Sequence, residues 1–325
     1  MIDFCIVGSG VSGSTLAYLI NKKYSIKILD KAKGPGGRTS TRRYHNISFD
    51  HGSHYISSSS SSFHNFLKLL EKKKFIRKWD KNHLDLSFEI KNHSKKFIGN
   101  KGNNDLCKFL IKNVEKDFRK EIRKIKFTNN TWVLYTTKDK IFCKSLILSC
   151  PFPQSLRLLR NYLPKKIKNL RVVMSPIITL MVAFKKNKNI PISSIKIKNH
   201  IIDKITYENS KKRFKTDLSC WTIQTTSSYA KKIINKYKAK KKFYTAEIMR
   251  EFNNITGQNK KPFFYNIHGW KYAFNESTTD LKSYWDSKKK IGLIGDWFIG
   301  PSIEDAWNSA QNIYVKIKKN PPKIK

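Results

Sequence analysis

The 325 residues carry 66 Lys and Arg against 23 Asp and Glu, a formal net charge of +43 that attracts polyanions without any dedicated site. Only 11 of the 66 are Arg, and the 55 Lys are spread over nearly every segment beside abundant Asn and Ile, which is a drift in amino-acid usage and not a specific nucleic-acid surface. The length supports a large core in two medium domains, and no apolar run approaches the ~20 residues that span a bilayer, so a soluble, cytoplasmic protein without a membrane partner is expected.

Ile2 to Val7 reads as a buried strand, with no basic n-region and apolar h-region before it. Gly8-Ser-Gly10-Val-Ser-Gly13 reads as a tight turn into a helix, and Ile26-Lys-Ile-Leu-Asp30 as a second strand. Gly8 allows the sharp turn, Gly10 lets the backbone approach a pyrophosphate, and Gly13 lets the helix pack close to the strand. Asp30, about 20 residues beyond the glycines, is placed to accept hydrogen bonds from an adenosine ribose while the helix N-terminus faces the phosphates. The order strand, glycine turn, helix, acid-ended strand predicts a dinucleotide-binding domain.

Lys33 to Arg43 is a glycine-rich loop carrying Arg38, Arg42 and Arg43, suited to phosphate or, for the last two, a solvated pair. Ile47 to Ile56 alternates into a short strand and turn, Ser57 to Ser62 forms a loop and N-cap, and a helix follows from about Phe63 to Lys73. A second helix is expected from Asn104 to about Lys116, then strands near Ile122 to Phe127, Trp132 to Thr136 and Ser145 to Ser149. The middle, with Ile177 to Phe184 and Trp221 to Thr225 as strands and a helix near Thr245 to Phe252, reads as a mixed α/β domain inserted in the first. Ile291 to Asp296 is another short strand, and Pro301 to Ile317 a helix. The boundaries expected are 1–75, 100–155 and 285–325 for the nucleotide-binding domain, and 76–99 and 156–284 for a substrate domain. The five cysteines are scattered without a CxxC pair, so no metal site is expected.

Several stretches together resemble one family. Gly34-Pro-Gly-Gly-Arg38 resembles the GGR loop of FAD-dependent amine oxidases. Phe49-Asp-His-Gly-Ser-His-Tyr55, His268-Gly-Trp-Lys-Tyr-Ala273 and Gly295-Asp-Trp-Phe-Ile-Gly-Pro-Ser-Ile-Glu-Asp-Ala-Trp307 are similar to FDxGAQY, HRWRYA and GDWxxGxxVEGAW of its renalase branch. Cys150 to Gln154 and Ser219 to Thr225 extend the likeness, which runs from residue 1 to about 315. The resemblance implies an α/β fold with a Rossmann-type FAD-binding domain and an inserted mixed α/β substrate domain, as in p-hydroxybenzoate hydroxylase and the amine oxidases. It implies hydride transfer from 2- or 6-dihydro isomers of NAD(P)H to flavin N5, reoxidation by dioxygen to hydrogen peroxide, and a role in metabolite repair.

On that resemblance, FAD contacts are expected from Gly8, Gly10, Gly13, Asp30, Gly37, Arg38, Arg43, Gly52, Ser53, Gly295, Asp296 and Ile303. Asp296 would bond a ribityl hydroxyl, and the last helix would aim its positive end at the flavin N1/O2 edge. No cysteine follows Cys220, so FAD would be noncovalent. Hydride transfer requires no general base, leaving a dry aromatic pocket as the main requirement, with His51, Tyr55, Trp221, His268 and Trp270 as its candidates. As bare residues, Trp221 and Trp270 equally suit an ordinary core, and His51 a satisfied polar turn. The chain departs from the branch at Ser53 and His54 (for Ala and Gln), at Gly269 and Lys271 (for arginines), and at the start of the last helix, Pro301-Ser-Ile-Glu-Asp. Two other functions fit the same residues: an amine oxidase or desaturase-like flavoenzyme with another donor or acceptor, and a non-catalytic flavin-binding protein that adheres to polyanions.

Overall fold

A computed structural model describes residues 1–79, 83–85, 95–185, 192–198 and 200–322, of which 83–85 are described by backbone alone. The chain forms two compact units, residues 1–37, 104–174 and 274–325 in the first and 38–103 and 175–273 in the second. Against the expected boundaries, 38–75 and 100–103 fall in the second unit, and 156–174 and 274–284 in the first. The reason is physical: the short strands Arg42–Tyr44 and Ile47–Phe49 pack their apolar side chains on the second unit's sheet, with Met181, Ala183 and Cys220.

The first unit is built on a sheet in the order Tyr284–Asp286, Ile291–Leu293, Lys140–Leu148, Ile2–Val7, Ile26–Asp30, Glu115–Phe118. All neighbours are parallel except the outermost pair at the Tyr284 edge. Phe4–Val7 of the strand Ile2–Val7 is apolar at successive positions because both faces of a central parallel strand are covered. Helices Val11–Ile20 and Ile303–Lys319 pack together in this unit, while the hairpin Lys124–Thr128 and Thr131–Tyr135 pairs with the first half of Lys140–Leu148. The helix expected over Asn104 to Lys116 ends at Leu110. Glu115–Phe118 is instead extended, because it pairs with Ile26–Asp30, and Lys27 bridges Glu115 at 2.7 Å and Asp117 at 3.1 Å.

The second unit has a sheet in the order Phe264–Asn275, Met174–Lys185, Leu218–Thr225, Ile202–Tyr207, Ser194–Lys196, His83–Asp85. Two-residue alternation divides its faces. Ile178, Leu180, Val182, Phe184, Ile205, Tyr207, Trp221 and Ile223 lie under the helices Ser227–Ile233 and Lys241–Thr256. Thr206, Thr222 and Gln224 take the opposite face, where Thr206 meets His54, Gln224 donates to Gly52 O and Thr222 donates to Glu208. No described helix is long and apolar enough to cross a membrane.

Candidate functional site

In the first unit the expected cofactor residues gather at the carboxyl ends of the parallel strands, the usual place for a ligand in such sheets. Gly8 has φ +109°, a conformation that a residue with a Cβ resists, and its N–H donates to Leu29 O at 2.8 Å. A Cβ on Gly13 would sit 2.1 Å from Gly8 O, so helix and turn meet at a distance only glycine permits. Gly10 differs: a Cβ there would meet nothing within 4 Å. It begins the helix Val11–Ile20, which has no side-chain cap and no acidic residue in its first turn. An open backbone at an uncapped positive helix end fits a pyrophosphate. Gly37 lies against Gly10, joined through a bridge between Gly10 and Gly36.

Asp30 takes part in building the turn as well as facing it. Its Oδ2 accepts from Ser9 N at 2.8 Å and Ser9 Oγ at 2.5 Å, and its Oδ1 from Ala32 N at 2.8 Å. A carboxylate has about four acceptor sites, so one remains for a ribose hydroxyl. Ser149, which sequence reasoning missed, ends the strand Lys140–Leu148 beside the glycines, its Oγ 3.2 Å from Ser12 Oγ. A small polar residue at the carboxyl end of a parallel strand was the available signal.

Gly295 donates its N–H to Ser309 Oγ at 3.0 Å, and a Cβ there would fall 2.2 Å from Trp297 Nε1. Asp296 is buried and opens a short 3-10 turn whose carbonyl accepts from Ile299 N and Gly300 N. The last helix starts at Ile303 behind Ser302, in a reciprocal cap: Ser302 Oγ accepts from Asp305 N at 3.0 Å, and Asp305 Oδ2 accepts from Ser302 N at 2.9 Å. With Glu304 and Asp305 in its first turn, much of the positive end expected of this helix is offset by the chain's own carboxylates.

In the second unit, three of the five aromatic candidates come together. His51 and Trp270 ring centroids are 5.1 Å apart, His51 and His268 5.2 Å, His268 and Trp270 4.5 Å, and Trp270 Nε1 donates to His51 O at 2.8 Å. Trp221 does not join them. It lies on the helix-covered face, against Tyr207 and Phe252, because alternation along its strand sends Thr222 and Gln224 to the other side. Tyr55 also stands apart, near Trp79, Lys96 and Lys204. Gly52 is required by contact within the chain, since a Cβ would lie 2.0 Å from Arg38 O, which accepts from Ser53 N at 2.7 Å. Arg38 Nη1 reaches Ala273 O at 3.2 Å, and Arg43 is exposed, donating to Lys101 O at 3.1 Å. It is Arg42 whose charge acts on His51 and His268.

Beneath this loop is a buried ionic quartet absent from the sequence reading. Asp50 Oδ2 is 2.6 Å from Lys211 Nζ and 2.5 Å from Arg213 Nη1, and Lys211 Nζ is 3.0 Å from Glu208 Oε2. Asp50 N donates to Glu208 Oε1 at 3.2 Å, Thr222 Oγ1 donates to the same oxygen at 2.6 Å, and Thr41 Oγ1 to Asp50 Oδ1 at 2.6 Å. Burial alone would raise the Asp50 carboxyl, but Arg213 and Lys211 hold it well below the usual range; burial raises Glu208. The quartet is formally neutral and fixes the residue before His51.

Burial, then His268 and Arg42, push His51 down to about 3; burial and Arg42 push His268 down to about 4; burial and Lys204 hold His54 well below its ordinary value. These histidines are neutral in the folded protein, whereas an unfolded chain protonates them near pH 6.5. Their stabilisation is complete above about pH 6.5 and is lost as pH falls toward the folded values, by about 1.4 kcal/mol per unit for each of the two most buried, His51 and His54. The urea midpoint should therefore drop steeply between pH 7 and pH 5. A flat midpoint over that range would mean the rings are not held neutral.

The NAD(P)-binding Rossmann-like domain family matches residues 6–72. Solved structures align over nearly the whole chain: a candidate protoporphyrinogen oxidase from Exiguobacterium sp. 255-15 has a TM-score of 0.75 at 12% identity, covering 98% of this chain and 99% of that one. A putrescine oxidase variant from a redesign of cofactor binding has a TM-score of 0.71 at 11% identity, with 98% and 99% covered. Cyclohexylamine oxidase from Brevibacterium oxydans IH-35A has a TM-score of 0.70 at 10% identity, with the same coverage. The chain thus has the mixed α/β fold of these oxidases, with a Rossmann-like domain.

Proposed function

We propose that the protein is an FAD-dependent oxidoreductase of renalase type that oxidises isomeric 2- or 6-dihydronicotinamide dinucleotides. The observation that carries the cofactor is the open backbone at Gly10 over an uncapped helix, beside a carboxylate with a free acceptor site. Gly8, Gly10, Gly13 and Gly37 would hold the pyrophosphate, Asp30 the ribose, and Gly295 and Asp296 the ribityl chain. Bound FAD supplies a hydride acceptor that dioxygen can reoxidise with release of hydrogen peroxide.

The substrate side rests on the His51, His268 and Trp270 group. With pKa values pushed down to about 3 and about 4, the two imidazoles are neutral at pH 7 and poor proton acceptors, which suits a direct hydride transfer in which the chain orients the donor and excludes water. A second reading, amine oxidation, draws on the names of two structural neighbours, putrescine oxidase and cyclohexylamine oxidase. Anaerobic stopped-flow absorbance separates the two. Bleaching of the flavin band by 2- or 6-dihydro-NAD, and by neither primary amines nor ordinary NADH, is the expected result; reduction by amines alone would replace it with the second reading.

A further inference from the structure

On the second unit's sheet, away from the helices, three lysines converge on one half-buried tyrosine. Lys204 Nζ lies 4.8 Å and Lys96 Nζ 5.2 Å from the Tyr55 ring centroid, and Lys196 is the direct antiparallel partner of Lys204. Like charges directly opposite on paired strands are unfavourable, and two cations share one aromatic ring. Among the described residues no carboxylate forms an ion pair with Lys204 or Lys196, although Asp85 stands in backbone register with Lys196 on the next strand. Lys204, opposed by burial and helped by Lys96 and Lys196, lowers the Tyr55 hydroxyl below its ordinary value, so the positive potential is felt at the phenol.

A second observation comes from His54, on which the Lys204 charge also acts. His54 is buried with its Nδ1 against Thr206 Oγ1, while its Nε2 has no hydrogen-bond partner among the described residues. Buried polar atoms are nearly always satisfied, so an orphan beside an excess of positive charge marks a place for an acceptor or donor from outside the chain.

We propose that Lys196, Lys204, Tyr55 and His54 form a subsite for a phosphate ester. The Lys204 and Lys196 ammonium groups, a phenol and an imidazole offer the several donors and positive charge that a phosphate dianion uses, more than a single carboxylate needs. The subsite rests on the reading above only for its role, which is to hold a phosphate of a phosphorylated hydride donor. The same charge disfavours an alkylammonium substrate.

The test is calorimetric titration of the FAD-saturated, oxidised protein with inorganic pyrophosphate at fixed ionic strength, with acetate as the carboxylate probe. One saturable site is expected, preferring pyrophosphate, weakened tenfold or more in Lys204→Gln and Lys196→Gln, retained in Lys204→Arg and unchanged in Lys138→Gln, an exposed lysine of the first unit. Equal weakening in Lys138→Gln, equal affinity for acetate, or no saturable binding overturns the proposal. Melting of each variant verifies folding, and Lys204→Arg keeps the test decisive should Lys204→Gln fail to fold. No donor is present, so failure here leaves the oxidoreductase reading standing, and a donor that fails to bleach the flavin leaves the subsite standing.

Discussion

Replacing Lys211 by methionine is expected to cost about 3–5 kcal/mol of folding stability at pH 7.5, the largest single-residue effect in the second unit. Lys211 is fully buried between Asp50 and Glu208, and its removal leaves two carboxylates to share Arg213. Glu208, which burial already raises, would then take up a proton most readily. The cost of Lys211→Met should accordingly be smaller at pH 5.5 than at pH 7.5, each variant being compared with the wild type at the same pH, and Lys211→Met combined with Glu208→Gln should recover a substantial part of it. Urea unfolding of the single and double variants decides: if the double costs as much as the sum of the two singles, the quartet is not acting as a coupled unit.

The glycine turn yields the second large effect, and the two glycines should behave oppositely. Gly13→Ala places a methyl 2.1 Å from Gly8 O, whose residue is tied to Leu29 by its own N–H, so helix and strand must separate. A loss of about 2–4 kcal/mol is expected, together with loss of FAD. At Gly10, φ −70° and ψ −178° are open to alanine and the methyl meets no protein atom within 4 Å. Gly10→Ala should leave apoprotein stability within about 1 kcal/mol of wild type. Its FAD affinity, read by fluorescence titration, should fall a hundredfold or more because the methyl occupies the approach to the pyrophosphate. Unchanged affinity would mean that the phosphates do not pass over Gly10.

The parts legible in the sequence are those whose cause is local. The strand at Ile2–Val7, the turn, the helix and the acid-ended strand at Asp30 lie within one short segment, each with its own chemical signature. Ser60, accepting from Phe63 N, likewise caps its helix as the serine run suggested. Glu115 and Lys116 read helical because the partner of their strand, Ile26–Asp30, is far away in sequence. Trp221 illustrates a different limit: period-two alternation shows that neighbours face opposite ways, but not which way is toward a site. The quartet was invisible for a third reason, since Asp50 meets Lys211 and Arg213 only after two strands of the second sheet are in place, and in a chain with 66 basic residues no single lysine stands out.

The discontinuous make-up of the first unit bears on how the chain is born. Ile291–Leu293 completes the parallel sheet beside Lys140–Leu148, and the helix Ile303–Lys319 packs on Val11–Ile20, yet both are synthesised only after every residue of the second unit. On the ribosome, the second unit can therefore finish its sheet while the glycine turn still waits on an open-edged one. A nascent chain interrupted before residue 291 would carry the whole dinucleotide fingerprint and none of its last supporting wall, exposing a parallel edge of Lys140–Leu148 to chaperones and to other chains. Completion of the sheet around the glycine turn is thus tied to residues 291–319, which are made after the whole of the second unit.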